Sequence, residues 1–406
     1  MATLKEIFTI EKNKKNLIIT SSILAGTLAL GIVAGVQFKQ FSNYQTYFHI
    51  RDNVQIEKFS DYSPNLKNTV GDADIYKIEG KEAGPSVLII GGTHPNEPAG
   101  QIAATVLLEN IEVERGTVYI ITEANKSAYT HSHPLEATTF YYNIKTASGQ
   151  FRKFKFGSRA TNTNQQWPNP DVYTTQSGQK LSSTDTRNLN RAYPGKINGT
   201  YSEQVAYAIT QCIIQNDIAV TIDLHEASPE YNNINSIVGH TDASEIGAFA
   251  AAYISSTIKD TCSYNNAPEA LRGLSHIELG EATDTLAFLC ETSNASQGKF
   301  RGAFTEDLII TGKDKFYEHA MEIDKKQGSK LVYGAPVHLN ERVARQLLTV
   351  DSILYWYNQE FTFGEDNFFN NFLDGRRLAE GEFVYSNIPS FKDAKKDIGQ
   401  FLAEPK

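Results

Sequence analysis

Apolar and polar positions fall along this chain in segments of three kinds. The first is one uninterrupted run. Leu17 to Phe38 (LIITSSILAGTLALGIVAGVQF) holds 22 residues without a charge. At a helical rise of about 1.5 Å per residue it reaches about 33 Å, enough to cross a hydrocarbon core of roughly 30 Å. The second kind is short and apolar: Ser86–Ile90 (SVLII), between Gly84-Pro85 and Gly91-Gly92, then Thr117–Thr122, Val220–Leu224 and Leu286–Cys290. Runs of this length between turn residues predict buried strands. The third kind has helical period. It comprises Pro98–Glu109, Ser202–Gln215 with Ser202 as the expected N-cap, Ser244–Lys259 and Asp314–Lys326. Strands alternating with helices predict an α/β sheet covered on both faces.

This pattern divides the chain into a cytoplasmic N-terminus (1–16), a transmembrane anchor (17–38), a polar stalk and lead-in (39–80), a main domain (81–332) and a C-terminal appendage (333–406). The lead-in has β character around Ile75–Ile78. In the appendage the helical pattern weakens and aromatics intersperse with polar residues. Residues 130–190, rich in Asn, Thr, Ser, Gln and Pro, read as an extended loop region or lid. The apolar run is longer than a signal-peptide core and no small-x-small cleavage site follows it, so an uncleaved anchor is expected. Lys5, Lys12, Lys14 and Lys15 precede the run, whereas Lys39 and Arg51 follow it. This bias predicts a single-pass cell-membrane protein with a cytoplasmic N-terminus and an extracytoplasmic main domain.

Composition narrows the function. The chain has 406 residues and a formal charge of −9, which disfavours nucleic-acid binding through bulk charge. A mean hydropathy of −0.37 excludes a polytopic membrane protein. Cys212, Cys262 and Cys290 are the 3 cysteines, too few and too scattered for a disulfide scaffold or a thiolate zinc site.

The chemistry-bearing residues follow the strands. SVLII runs into Gly91-Gly92-Thr93-His94-Pro95-Asn96-Glu97, which puts two metal-ligand types three apart at a strand end. VTIDL runs into His225, and Asp223 lies on the same face, where it could orient that ring or simply line the cleft edge. LAFLC ends at Glu291, a carboxylate able to take a proton from an attacking water and pass it to a leaving group. Two His and one Glu match a catalytic zinc set with a fourth position open. Between these clusters, Arg187, Asn188, Asn190 and Arg191, two arginines and two amides in five residues, resemble an anion clamp. Each piece alone is common on protein surfaces; their shared placement at strand ends is what points to a site.

In this order, H-x-x-E, N-R-x-[YF]-P-G, D-L-H and a strand-ending Glu resemble the zinc carboxypeptidase superfamily. They are closest to its succinylglutamate desuccinylase/aspartoacylase branch. GGTHPNEPAG resembles that branch's GGTHGNE-type ligand loop, and RNLNRAYPG its D-L-N-R-x-F-P-G loop, within a stretch from about Ser86 to Gln297. The resemblance implies a mixed central sheet with helices on both faces and one Zn2+ held by His94, Glu97 and His225. It implies that Asn190 and Arg191 hold a substrate carboxylate and that Glu291 is the general base. It also implies an upstream arginine that polarises the scissile carbonyl, matched here to Arg159 in GSRATN. Pro95 and Asn188 depart from the glycine and aspartate usual in the branch. The insertion between Thr122 and Asp185 is long and carries His131, His133, Trp167 and Tyr173. His131 and His133 are expected as a surface pair rather than metal ligands. The implied protein is a membrane-anchored zinc-dependent hydrolase that cleaves an amide beside a carboxylate-bearing group. Its substrate would be a small acylated amino acid. The alternatives are an extracytoplasmic metallocarboxypeptidase acting on peptides, including cell-wall peptides, and a non-catalytic anchored binding protein.

Overall fold

The computed structural model describes residues 10–132, 138–231, 234–266, 271–328, 337–362 and 381–405. The chain forms two units, Met1–Gln45 and Thr46–Lys406. The first is helix α1 (Ile10–Asn43). Its portion Asn16–Asn43 has a mean hydropathy of 2.2 and an unburied apolar window. Among the described residues it is the one helix long and apolar enough to cross a membrane.

In the second unit the polar lead-in supplies β1 (Val54–Lys58), α2 (Phe59–Tyr62) and β2 (Asp74–Glu79). The α/β pattern follows with β3 (Glu82–Ile90), α3 (Pro98–Asn110) and β4 (Glu112–Ile121). Two small hairpins, β5 (Tyr141–Lys145) with β6 (Phe151–Lys155) and β7 (Tyr173–Thr174) with β8 (Lys180–Leu181), occupy the stretch expected as a loop or lid. Next come α4 (Tyr201–Gln215), β9 (Ile218–Ala227), β10 (Ser236–Gly239), α5 (Ser244–Ile258), β11 (Ser263–Asn266), α6 (Ser275–Ala282) and β12 (Leu286–Ser293). The C-terminal part holds α7 (Glu306–Thr311), α8 (Lys315–Gln327), α9 (Leu339–Thr362), β13 (Val384–Ser386) and α10 (Phe391–Lys396).

The sheet order is β1-β2-β4-β3-β9-β12-β10-β11, with β13 also paired to β4. Its centre, β4-β3-β9-β12, is parallel, while β1 with β2, β2 with β4, β10 with β12 and β13 with β4 pair antiparallel, and β11 runs parallel to β10. This is a mixed α/β sheet covered on both faces, and the strand sequences explain why. In β3, Val87 and Ile89 join a core with α3, α5 and α9, whereas Leu88 and Ile90 join a second core with α2 and α4. Because successive side chains point to opposite faces and both faces are dry, the strand reads as a continuous apolar run. Full burial of each such side chain contributes about 1.5–3 kcal/mol.

Two glycines fix the approach to the site. Gly92 has a φ of +71°, and a side chain there would meet Thr122 O at 2.7 Å. A Cβ at Gly100 would stand 2.3 Å from Leu224 O, so the absence of a side chain lets α3 lie against β9.

The structure moves some expected boundaries. The N-cap of α4 is Thr200, not Ser202: Thr200 accepts from Glu203 N, and Glu203 Oε2 accepts from Thr200 N at 2.8 Å. That is a capping box, T-Y-S-E, two residues earlier than the sequence suggested. The stretch expected as a C-terminal appendage packs into the main body. Leu339, Val343, Leu347, Val350 and Leu354 of α9 are buried in the larger core, and β13 joins the sheet. Its apolar spacing of three and four is interrupted by buried Arg342, Arg345 and Gln346, which blurs the pattern.

Candidate active site

The carboxyl ends of three adjacent parallel strands build the site. After β3 the chain turns through Gly91-Gly92 and presents Thr93, His94 and Glu97, the last being the N-cap of α3. β9 presents Asp223 and His225, two apart and thus on one face. β12 pairs with β9 so that Glu291 stands beside His225. His94, Glu97 and His225 are all buried, and one ligand atom of each lies within 4.8 Å of the others.

The hydrogen bonds around this cluster set the ring orientations. Asn188 Oδ1 accepts from the Asn190 backbone N–H at 3.0 Å, which fixes the amide's sense. The same oxygen lies 2.8 Å from His94 Nε2, so that nitrogen carries the proton and Nδ1 is left with its lone pair. His225 repeats the arrangement, with Nε2 2.9 Å from Asp223 Oδ2. Asp223 is itself held by Thr93 Oγ1 at 2.8 Å and Ser275 Oγ at 2.6 Å. Both Nδ1 atoms then face Glu97, His94 at 2.9 Å from Oε1 and His225 at 3.0 Å from Oε2. Two imidazole lone pairs and a carboxylate converging in a buried pocket are acceptors facing acceptors. A proton or a cation must lie among them.

The electrostatics say the same. Burial pushes the His94 ring down to about 4, helped by the charge of Arg159, so it is neutral near pH 7. Burial also opposes a charge on His225, but Asp223 and Glu97 hold it up at about 10. Despite burial, the charges and hydrogen bonds of His94, His225 and Arg159 keep the Glu97 carboxyl well below its usual range. Imidazole and carboxylate ligands with outer hydrogen bonds from Asn188 and Asp223 fit a zinc ion of the catalytic type.

The other expected residues separate into two groups. Arg159 reaches the cluster, its Nη1 donating to Glu97 Oε1 at 2.6 Å. Arg191 is half-buried, with Nη1 donating to Asn190 O at 2.6 Å; burial and the nearby Arg159 charge lower its pKa. Asn190 turns its side-chain oxygen to Ser275 N at 2.8 Å and so ties the Arg191 loop to α6. Glu291 is raised to about 8, by burial first and then by the charge of Glu97. Its Oε2 is enclosed with no hydrogen-bond partner among the described residues. Arg187, by contrast, is structural: buried, it donates to Thr161 O and, at 2.6 Å, to Asn169 Oδ1. His131 lies 2.7 Å from Ala160 O and is not part of the cluster, while His133 lies outside the described residues.

Several site residues gave no sequence signal. Glu226, next to His225, accepts from Ala99 N at 3.0 Å and pairs with the fully buried Arg342 at 2.7 Å. Gln346 Nε2 donates to His225 O at 2.6 Å. Through these two contacts α9 braces the end of β9. His276 is buried beside Asp223, His225 and Arg191, and burial pushes it down to about 3. A cavity of about 270 Å3 adjoins the His94–Glu97 side and is lined in part by Asn96, Arg159, Asn188 and Arg301.

A scan against protein-family models gives no match, and no curated protein matches the chain. Solved structures do resemble it. A succinylglutamate desuccinylase/aspartoacylase from Rhodobacter sphaeroides is 18% identical, with a TM-score of 0.35 over 70% of this chain and 68% of its own. The cell shape determinant protein Csd4 from Helicobacter pylori is 12% identical, with a TM-score of 0.40 over 70% and 54%. The ectoine utilization protein EutE (DoeB) from Ruegeria pomeroyi is 17% identical, with a TM-score of 0.34 over 54% and 53%. The chain thus spans about half to two thirds of the length of these structures.

Proposed function

We propose that this protein is a membrane-anchored, zinc-dependent hydrolase that cleaves an amide bond next to a carboxylate-bearing group, with a small acylated amino acid as substrate. The observation that carries this reading is the convergence of His94 Nδ1, His225 Nδ1 and the Glu97 carboxylate beside the strand-end Glu291. When bound by these residues, zinc supplies a Lewis acid that polarises a carbonyl and makes water nucleophilic near neutral pH.

The chain's own groups do the rest. Glu291 accepts the proton of the attacking water and returns it to the leaving amine. Its enclosed setting favours the neutral form and the positive cluster favours the carboxylate, which brings its proton affinity close to the working pH. Arg159, at the cavity edge, stabilises the oxyanion that develops on the scissile carbonyl. Arg191 holds the substrate's carboxylate, positioned by Asn190. The cavity beside the cluster, about 270 Å3, has room for a short acyl group. α1 anchors the chain, with the main body outside the cytoplasm, a placement supported by the lysines before it.

The experiment is a substrate panel on the purified chain, N-acyl amino acids against C-terminal peptides, run with wild type and Glu291→Gln. Turnover of N-acyl amino acids that Glu291→Gln abolishes supports the reading. Turnover of peptides alone would move the protein to the carboxypeptidase alternative, and full activity of Glu291→Gln would remove the proposed base.

A further inference from the structure

Helix α9 breaks its own pattern where it packs behind the site. Leu339, Val343, Leu347, Val350 and Leu354 give it an apolar inner face, yet Arg342 and Gln346, one turn apart, are fully buried beside them. Polar side chains buried in an apolar helix face depart from the packing rule, and such departures concentrate at functional sites. Both reach the strand ends that carry the site. Arg342 Nη1 lies 2.7 Å from Glu226 Oε1, on the residue after His225. Gln346 Nε2 donates to His225 O at 2.6 Å and makes a longer contact of 3.4 Å to Cys290 O. The amide thus sets its N–H2 group between carbonyls of neighbouring parallel strands, β9 and β12, and those two acceptors fix its sense. The carbonyls belong to the residues on which the chemistry depends. One is that of His225 itself. The other, that of Cys290, is in the peptide group leading into Glu291, the sheet partner of His225. Gln346 Oε1, by contrast, is enclosed and has no hydrogen-bond partner among the described residues. An apolar side chain of equal length would remove that unpaired oxygen, so packing alone does not call for glutamine here.

We propose that Gln346 is a positioning residue for the hydrolysis: by bridging His225 O and Cys290 O it fixes how far the His225 ring stands from the Glu291 carboxyl. The inference rests on the amide-hydrolase reading, in which a metal held by His225 and the proton acceptor Glu291 must meet the same water. It adds to that reading a side chain that acts from behind the strands, through their backbone. A misplacement of about 1 Å between reacting groups costs on the order of a hundredfold in rate, so a bridge between the two strands acts on kcat rather than on substrate binding.

The test uses the full chain in detergent and three variants. Gln346→Met keeps the length of the side chain and deletes both donors. Gln346→Glu keeps one, because a carboxyl buried there stays protonated. Val350→Ala loosens the same helix one turn further on and leaves the bridge intact. On the amide that wild type turns over, Gln346→Met should lower kcat by about ten- to a hundredfold, with KM changed by less than about twofold and one zinc per chain retained. Gln346→Glu should fall between Gln346→Met and wild type, and it carries the comparison alone if Gln346→Met does not fold. Val350→Ala should lower the melting temperature and leave kcat unchanged. In the metal-free protein, amide hydrogens of residues 222–228 and 288–293 should exchange about tenfold faster in Gln346→Met than in wild type, while those of β3 and β4 keep their rates. An unchanged kcat in Gln346→Met, or an equal loss of kcat in Val350→Ala, overturns the proposal. If no amide is hydrolysed, the hydrolase reading fails by itself, and exchange in the metal-free protein then decides the bridge. Faster exchange confined to the two strand ends upholds it; unchanged exchange, or an increase spread over the whole sheet, ends it.

Discussion

Arg159 Nη1 lies 2.6 Å from Glu97 Oε1, so a side chain 39% exposed neutralises a carboxylate that is 2% exposed. In the metal-free protein this guanidinium does part of the work of a bound cation. Arg159→Gln should therefore lower the stability of the metal-free form by about 1–2 kcal/mol, after allowing for solvent screening of the exposed arginine. Saturating zinc should erase most of that difference, because the ion then neutralises Glu97. Thermal melts of both proteins, with chelator and with zinc, check this. An equal deficit in both conditions would contradict it.

The proton on His225 must leave before its Nδ1 can bind a metal. The folded pKa of about 10 lies above the ordinary histidine value. Zinc affinity should therefore rise with pH, by up to about tenfold per unit below pH 10 where this proton is the competitor, with about one proton released per ion. Calorimetry in two buffers of different ionisation enthalpy counts that proton.

The same groups set the stability of the metal-free form. His225 is raised, so its contribution is full below about 6.5 and is lost as pH rises through about 10. Glu291 is raised to about 8, so between about 4.5 and 8 the folded state binds more protons than the unfolded chain, and stability falls as pH rises. Both signs agree above pH 6.5. The metal-free melting temperature should drop from pH 6.5 to 9, and Glu291→Gln should flatten the part of that drop below pH 8.

Asn188 would act on a bound metal through His94. Asn188→Ala frees the ring to rotate and to exchange tautomers, and should weaken zinc binding by about 10–100-fold while leaving all three ligands in place. Competition with a chromophoric chelator measures it.

Arg342 and Glu226 are fully buried at 2.7 Å. Arg342→Met strands the Glu226 carboxylate, whose other oxygen caps α3 through Ala99 N, and should cost about 3–5 kcal/mol in urea unfolding.

The strands and the positions of the clustered His94, Glu97 and His225 were legible in the sequence for a physical reason. Strands β3, β9 and β12 are buried on both faces, so their apolar runs are continuous; those of β9 and β12 stop at His225 and Glu291, and that of β3 stops at the Gly91-Gly92 turn that leads to His94. Asp223 was readable as a partner of His225 because strand parity places them on one face. What the sequence hid is held by single long-range contacts. Asn188 reaches His94 across 94 residues and Gln346 reaches His225 across 121, with no local pattern to mark them. Helix α9 was obscured because it buries arginine and glutamine among its apolar positions. β10 (SIVG) and β11 (SYNN) are four residues each and too short to show a period. Arg187 and Arg191 looked alike in the sequence, and only their partners separate a structural arginine from one at the site.

The central claim is that His94, Glu97 and His225 hold one zinc ion that Glu291 serves but does not bind. Metal analysis of the chain purified from zinc-supplemented medium, together with His225→Ala and Glu291→Gln, tests it most directly. The account predicts one zinc per chain in wild type and in Glu291→Gln, hydrolysis only in wild type, and neither zinc nor hydrolysis in His225→Ala. A wild-type protein without zinc, or a His225→Ala protein that keeps it, would contradict the account.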